Sequence, residues 1–246
     1  MNSTAAIVIP ARYAAARLPG KPLVTVGGKP LIQWVYERAC QVPGIAEVLV
    51  ATDDLRIAQV VQHIGGKAII TKGSFASGTE RVAHVARELS YDIIVNLQGD
   101  EPLVDVHGVA RAISWLADHP DVPVATLGCP VQQEEQWQNP HVVKVVTNRY
   151  GRALFFTRQP VPYFRDESFS PLSGIYQHVG VYVFRREFLQ VYPTLSLSPL
   201  EQAEKLEQWR ILWHGYAIQV LPISHCEPGV DTPADVQRME ALLTAK

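Results

Sequence analysis

Short apolar runs alternate with helix-spaced apolar stripes through the first half of the chain. Residues 5–9 read as a strand, and Leu31, Trp34, Val35 and Ala39 follow at helical spacing, with Pro30 placed to open that helix. Residues 47–52 form a second strand. Leu55, Ala58, Val61 and Ile64 make a helix stripe that Gly65-Gly66 closes. Residues 67–71 form a third strand, after which Ser77 or Thr79 caps a helix with Val82, Val85, Ala86 and Leu89 on one face. Residues 92–97 make a fourth, rich in β-branched side chains and apolar enough for burial on both faces. This alternation predicts an α/β fold with a doubly wound, mostly parallel sheet.

The second half is denser in strand signal, at 122–127, 142–147, 153–157, 178–184 and 218–221. Ser198-Pro199-Leu200-Glu201 has the order of a capping box with proline at the first helical position, which opens a helix over 199–213. Thr232-Pro233-Ala234-Asp235 opens the last helix in a similar way. No tandem repeat, low-complexity segment or linker interrupts the chain. The expectation is one domain over 1–246, with its core at about 1–130 and 215–246 and a smaller antiparallel portion at about 131–214 embedded in it.

Composition narrows the class. The 246 residues are 47% hydrophobic and 19% charged, ordinary values for a globular protein long enough to bury a core. No stretch approaches the ~20 apolar residues of a membrane span. The apolar run before Pro10 lacks the basic segment of a signal peptide, so a cytoplasmic protein is expected. A net charge of −2 and a pI near 6.4 disfavour a nucleic-acid binder. Cys40, Cys129 and Cys226 are odd in number, far apart and form no CxxC, which argues against a disulfide framework and a zinc site and for small buried apolar residues in a reducing compartment.

Charge is unevenly spread. Arg12, Arg17, Lys21 and Lys29 all precede the first acid, Glu37, and three of the four lie in the Gly/Pro-punctuated stretch 10–22. A buried strand that empties into a basic, acid-free loop suits a polyphosphate, because clustered cations repel one another until an anion arrives. A solvated basic loop is the plainer alternative. The pattern G-x-x-x-x-G-K-[ST] fails twice here, at Ala15 and Pro22, and no G-x-G-x-x-G follows the first strand. What remains is a loop at the carboxyl end of a sheet, where open α/β folds place ligands, with Lys21 as a point charge and the arginines as forks.

Further polar groups have the same double reading. In Gln98-Gly99-Asp100-Glu101-Pro102, Asp100 projects from the fourth strand toward the same sheet edge. It suits magnesium, which takes one or two carboxylates beside phosphate oxygens, and equally suits a turn that caps the next helix. Glu101 reads as solvated or structural. Asp231 is a second metal carboxylate if the C-terminal segment returns to the sheet edge, and otherwise a turn or cap residue. Ser77-Gly78-Thr79-Glu80-Arg81 offers a hydroxyl and free amides at a helix start, able to read a base edge or hold an anion, or simply to cap. Arg158 follows the strand 153–157. His178, Gly180 and Tyr182 share one strand face, leaving room for a ligand between imidazole and phenol, unless the histidine is a satisfied structural one. Glu204, Glu207 and Gln208 share a face of the helix 199–213, for which a solvated charged face is the simpler reading.

In order and over essentially the full chain, these segments resemble the 3-deoxy-D-manno-octulosonate (Kdo) cytidylyltransferases. The likeness runs through Ile9-Pro10-Ala11-Arg12-Tyr13, Arg17-Leu18-Pro19-Gly20-Lys21-Pro22-Leu23, Ala51-Thr52-Asp53, the segments 77–81 and 96–102, and Val143-Lys144-Val145-Val146. It continues with Phe156-Thr157-Arg158, His178-Val179-Gly180-Val181-Tyr182, Leu206-Glu207-Gln208 and Gly229-Val230-Asp231-Thr232-Pro233. Phe75, Thr157 and Phe184 depart from the family pattern, standing where His, Ser and Tyr are usual.

The resemblance implies transfer of CMP from CTP to Kdo, with release of pyrophosphate and dependence on Mg2+, by a cytoplasmic homodimer on a nucleotide-diphospho-sugar transferase sheet. By that resemblance Arg12, Arg17 and Lys21 hold the triphosphate, with Arg12, Lys21 and Asp100 in the catalytic role. Ser77, Gly78 and Arg81 lie near cytosine and ribose, and Pro10, Ala11, Ala51, Thr52, Asp53 and Gly99 complete the nucleotide site. Asp100 and Asp231 bind magnesium. Arg158, His178, Tyr182, Glu207 and Gln208 surround the sugar acid, with Gln98 between the substrates. Neither nucleic acid nor membrane is expected as a partner, and the product would feed lipopolysaccharide or capsule synthesis. The alternatives are a cytidylyltransferase for another acidic sugar, such as 8-amino-Kdo or a sialic acid, a GT-A-type glycosyltransferase, and a non-catalytic nucleotide-sensing subunit. Gly99-Asp100-Glu101 in place of D-x-D disfavours the second, and intact Lys21, Asp100 and Asp231 disfavour the third.

Overall fold

Along the first strand, β1 (Ala5–Ala11), Ile7 and Ile9 point to one face of a sheet and Ala6 and Val8 to the other, and all four are fully buried. Two cores therefore form on one strand. The computed structural model describes residues 3–14, 18–165, 168–227 and 229–244. After β1 come a short 3-10 turn at Lys21–Leu23, the small ladder β2 (Thr25–Val26) and β3 (Lys29–Pro30), α1 (Leu31–Ala39), β4 (Glu47–Thr52), α2 (Leu55–His63) and β5 (Lys67–Ile70). Then follow α3 (Gly78–Ala86), β6 (Ile93–Leu97), α4 (Val106–Asp118), β7 (Val124–Pro130), α5 (Glu134–Gln138), β8 (Lys144–Thr147) and β9 (Ala153–Thr157). The long β10 (Ile175–Arg185), α6 (Arg186–Val191), a second 3-10 turn at Tyr192–Thr194, α7 (Pro199–Glu204), α8 (Gln208–Trp213), β11 (Ile218–Pro222) and α9 (Pro233–Thr244) complete the described elements.

The main sheet runs β11-β7-β10-β6-β1-β4-β5, with β8 paired to β10 and β9 to β8. The pairs β1–β4, β1–β6, β4–β5 and β11–β7 are parallel, whereas β10 runs antiparallel to β6, β7 and β8. The mostly parallel α/β sheet read from the sequence is present. Ile7 and Ile9 pack with Ile32 and Val35 of α1, Ile57 and Val61 of α2, and Val109 and Leu116 of α4. Ala6 and Val8 pack with Val82 and Ala86 of α3 and with Phe188, Leu189 and Ile211 of α6 and α8.

Several local expectations need correction. The helix α4 was not among the predicted elements, although Asp105 caps it and Val106, Val109, Ala112 and Leu116 form its buried stripe. Leu55 is exposed, outside the stripe assigned to it, while Ile57 takes the buried position. The single helix expected over 199–213 is two, because Lys205 adopts a left-handed conformation (φ 55°) and ends α7. Cys129 and Cys226 are joined as a disulfide with a Cα–Cα distance of 6.0 Å, and Cys40 is exposed. Ninety-seven residues separate the pair in sequence, and the contact arises because β11 lies beside β7 and the chain after it turns back over the end of β7, where the Ile223 amide donates to the Gly128 carbonyl. Among the described residues no helix is long and apolar enough to cross a membrane.

Candidate active site

The sheet changes direction beside β1. The chain runs from β1 outward through β4 and β5, then returns over the opposite face by α3 to place β6 on the other side of β1. Crevices at such switch points, outside the carboxyl ends of strands, are where open α/β sheets bind ligands. Here Pro10, Ala11 and Arg12 leave β1 and Gln98, Gly99 and Asp100 leave β6, and together with Lys21 they line a cavity of about 400 Å³. Gly99 is required by the closeness of the two chains, since a Cβ there would lie 3.1 Å from the Pro10 carbonyl oxygen.

The basic loop is not free of carboxylates, as the acid-free stretch suggested. Lys21 Nζ lies 2.6 Å from Asp100 Oδ2 and 2.9 Å from Asp231 Oδ1, and Lys29 pairs with Glu37 at 2.7 Å. Arg12 is exposed, and Arg17 lies outside the described residues. Burial works against the charge of Lys21, but attraction from Asp100 and then Asp231 outweighs it and leaves the ammonium pKa above its ordinary value.

Asp231 does return to the sheet edge, and the reasons are visible. The Val230 amide donates to the Asp100 carbonyl at 2.9 Å, and Val230 is fully buried with Val26, Leu31 and Met239. Asp235 Oδ2 accepts from the amides of Asp231 and Thr232, fixing the turn into α9. Carboxylate oxygens from Asp100 and Asp231 thus converge on a single cationic atom. Among the described residues no group of three or more His, Cys, Asp or Glu gathers in a metal-binding arrangement. Two convergent carboxylates nonetheless fit magnesium, whose other ligands are commonly water and substrate phosphates.

A second cavity of about 820 Å³ meets the first at Arg12, Gln98, Asp100 and Asp231. Arg158, His178, Tyr182, Glu207 and Gln208 all line it. Arg158 is anchored through Nε to the Glu204 carbonyl (2.8 Å) and through one terminal nitrogen to the Pro140 carbonyl (3.0 Å), while its amide donates to the Glu204 carboxylate. Glu204 and Glu207 are therefore not a solvated face. Glu204 braces Arg158, whereas burial raises the Glu207 carboxyl above its ordinary value and the hydroxyls of Ser77 and Thr79 work against that rise, and its Oε2 has no hydrogen-bond partner among the described residues. A hydrogen-bonded chain runs from Gln98 Nε2 to Asn96 Oδ1 (3.2 Å) and from Asn96 Nδ2 to Thr79 Oγ1 (2.8 Å), and ends near Glu207, whose carboxyl feels the Thr79 hydroxyl. It links the mouth of the first cavity to the wall of the second.

His178 and Tyr182 lie with ring centroids 5.2 Å apart, but the gap expected at Gly180 is not ligand space. A Cβ on Gly180 would sit 2.7 Å from Glu101 Oε1, which accepts the Gly180 amide at 3.0 Å. Glu101 fills the room. Burial, then the neighbouring charge of Asp100, pushes its carboxyl up to about 8, so the solvated reading of Glu101 is wrong. Burial likewise pushes the His178 imidazole down to about 3 and the Tyr182 phenol well above its usual range.

The remaining candidates lie along the edge. Ser77 caps α3 by accepting from the Glu80 amide (3.2 Å), and with Gly78 it borders the larger cavity. Arg81 is buried, pairs with Asp53 at 2.8 Å and lies over the Phe75 ring. Ala51 and Thr52 are fully buried at the end of β4. Ala51, Thr52, Asp53 and Arg81 line neither cavity. Of the two readings of Glu101 the structural one holds, and one support escaped the sequence reading: Lys144, fully buried with Nζ donating to the carbonyls of Asn139 and Arg158 at 2.8 Å. A lysine inside an otherwise apolar strand run was the available signal for it.

Comparison with known proteins gives the same outline. Residues 6–218 match the sequence model of the family described as Cytidylyltransferase. The chain is 48% identical over 242 residues to the 3-deoxy-manno-octulosonate cytidylyltransferase of Syntrophotalea carbinolica, covering 96% of this chain and 97% of that one. It is 47% identical over 241 residues to the enzyme of the same name from Escherichia coli, covering 98% and 96%. Its fold superposes with a TM-score of 0.92 on a CMP:2-keto-3-deoxy-manno-octonic acid synthetase solved in complex with CTP, at 46% identity and with 99% of each chain covered. The family match spans β1, both carboxyl-end loops and the whole of the second cavity's strand wall, and the relatives match over nearly the full length, so this chain belongs to the cytidylyltransferase family.

Proposed function

We propose that the protein transfers the cytidylyl group of CTP to the anomeric hydroxyl of Kdo, giving CMP-Kdo and pyrophosphate. The observation that carries this reading is the junction of two cavities. A small one beside Lys21 and a large one beside Arg158 and His178 share the wall formed by Arg12, Gln98, Asp100 and Asp231. A nucleotide triphosphate in the first and a sugar acid in the second would meet at that wall.

In the reaction the anomeric hydroxyl loses its proton to solvent as its oxygen forms a bond to the α-phosphorus, the bond from that phosphorus to the bridging oxygen of the β-phosphate breaks, and pyrophosphate carries away the electron pair. Lys21 and Arg12 hold phosphate oxygens and stabilise the charge that grows on them. Asp100 and Asp231 would hold magnesium, which when bound lowers the pKa of the attacking hydroxyl and offsets charge on the leaving group. Gln98, tied to Asn96, orients the two substrates toward each other. Arg158 takes the sugar carboxylate, and His178, Tyr182, Glu207 and Gln208 take its hydroxyls. Pro10, Ala11 and Gly99 shape the small cavity, and Ser77 and Gly78, which border the large one beside Gln98, take the nucleoside where the nucleotide extends past the shared wall, with Asp53 and Arg81 bracing the rim. We assign the enzyme to the cytoplasm as a homodimer that supplies lipopolysaccharide or capsule synthesis.

The test is pyrophosphate release from CTP and Mg2+ with Kdo and N-acetylneuraminate offered in parallel, and an EDTA control. Release with Kdo alone, abolished by EDTA, is the expected result. Release with N-acetylneuraminate instead would overturn the sugar assignment, and release with neither would overturn the reaction.

A further inference from the structure

The hydroxyl of Thr126 has one proton and two polar neighbours. Its Oγ1 lies 2.6 Å from the carbonyl oxygen of Val181 and 3.0 Å from Nε2 of His178. A carbonyl only accepts, so the proton is directed to Val181 and the hydroxyl oxygen is left to accept from His178. Nε2 therefore carries a proton. The geometry has little freedom to rearrange: Thr126 is fully buried on β7, and its contact with Val181 lies inside the register shift between His178 and Tyr182 of β10.

The other ring nitrogen then follows. Burial keeps the imidazole neutral near pH 7, and a neutral ring with its proton on Nε2 has a bare lone pair on Nδ1. Among the described residues nothing donates to Nδ1, and the ring lines the larger cavity beside Tyr182 and Glu207. The Phe156 ring stands edge-on against the imidazole, at 5.2 Å between centroids, and limits its rotation.

We propose that Thr126 is a positioning residue that sets the tautomer of His178, so that the cavity meets the sugar acid with an acceptor at Nδ1 that selects a hydroxyl and rejects the carboxylate. This rests on the reading of the larger cavity as the acceptor-sugar site. Facing a lone pair, a carboxylate finds repulsion, and the anionic end of the substrate is turned toward Arg158, which lines the same cavity. A hydroxyl donates to Nδ1, and an analogue with hydrogen or a methoxy group at that position cannot.

The experiment uses 15N-labelled full-length protein, with the His178 ring signals assigned by difference from His178→Gln. Two-bond 1H–15N correlation spectra at pH 7 read the tautomer directly and need no substrate. The expected result is Nε2–H in the wild type and in Thr126→Ser, and a shift toward Nδ1–H in the near-isosteric Thr126→Val. Alongside that shift, KM for Kdo should rise about fivefold, the worth of one neutral hydrogen bond, with KM for CTP unchanged. An imidazolium or an Nδ1–H ring in the wild type overturns the proposal, as does a Thr126→Val ring that keeps Nε2–H. A tautomer shift with no change in KM for Kdo also overturns it, because nothing would then be reading Nδ1. If Thr126→Val does not fold, the wild-type spectrum still decides. Failure of the wild type to use Kdo at all would defeat the proposed reaction, while the substrate-free spectra would still decide the role of Thr126.

Discussion

Lys21 Nζ and Asp100 Oδ2 stand 2.6 Å apart although 79 residues separate them in sequence. The ion pair joins the loop after β1 to the loop after β6, and Asp231 closes it from the other side at 2.9 Å. A cation and two anions are thus positioned at the switch point, and under the proposed reaction such preorganisation would let charge develop without reorganisation. Lys21→Ala and Asp100→Asn should each fold, by circular dichroism, yet lose on the order of 10²-fold or more in turnover. Near-normal turnover in either variant would remove it from the catalytic role.

The same contact predicts competition between ammonium and metal. With Lys21 removed, two carboxylates face each other without a counter-charge. Lys21→Ala should therefore bind Mg2+ more tightly than the wild type in the absence of nucleotide, seen as a larger rise of Tm on adding Mg2+. Asp231→Asn in the same background should cancel that extra rise. An equal Tm response in all three proteins would show that the two carboxylates do not share an ion.

Gly180 and Glu101 form a packing pair. Since a Cβ at 180 would lie 2.7 Å from Glu101 Oε1, Gly180→Ala should cost about 1–3 kcal/mol by urea unfolding, the usual range for overpacking. In a Glu101→Ala background the same substitution should cost clearly less. Equal costs in both backgrounds would mean that the clash lies elsewhere.

His178 predicts a pH dependence with a definite sign. Its folded pKa of about 3 lies below the ordinary value of 6.5, so between those values the unfolded chain binds a proton that the folded protein does not. Stability should fall as pH drops below about 6.5, by up to about 1.4 kcal/mol per pH unit, and the group contributes no pH dependence above that point. Comparing unfolding free energies of the wild type and His178→Gln from about pH 6.5 to about pH 5, above most carboxylate titrations, isolates this contribution. Parallel curves would show that the imidazole is protonated in the folded state.

Arg210 ties its own helix, α8, to two others. Its side chain is almost wholly buried, with both Nε and a terminal nitrogen on Glu201 of α7 and the other on Glu80 of α3 at 2.9 Å. Arg210→Met should destabilise by about 3–5 kcal/mol, because the Glu201 carboxylate would remain buried without its partner. Glu201→Gln added to that variant should recover part of the loss, and no recovery would mean that packing alone is at stake.

Much of this was legible because it is local. β-branched runs such as 92–97 and the caps at Ser77 and Ser198 determine their elements through neighbours a few residues away, and the structure has them close to where the pattern placed them, although the Glu201 carboxylate that would close a capping box at Ser198 goes to Arg210 instead. The order of motifs carried the family. Errors arose where a local pattern had two solutions. The stretch 199–213 has helical spacing throughout, yet Lys205 breaks it so that Glu204 can reach Arg158 while Glu207 turns to Ser77 and Thr79. Strand alternation placed His178, Gly180 and Tyr182 on one face but gave no sign of the acid that fills the space between them.

By itself the sequence determined the strands, the helix caps and the basic loop, since side-chain periodicity and turn chemistry act over a few residues. It also held the carboxylates at 100 and 231, each ambiguous alone. Only the tertiary structure decided that they share one cation, through the burial of Val230 and its amide bond to the Asp100 carbonyl. The same holds for Glu101 under Gly180, for Thr126 against His178 and for Cys129 beside Cys226. Each is a contact between strands or loops distant in sequence, and no local pattern records such a contact because burial, charge and proton position are properties of what surrounds a side chain after the sheet has assembled.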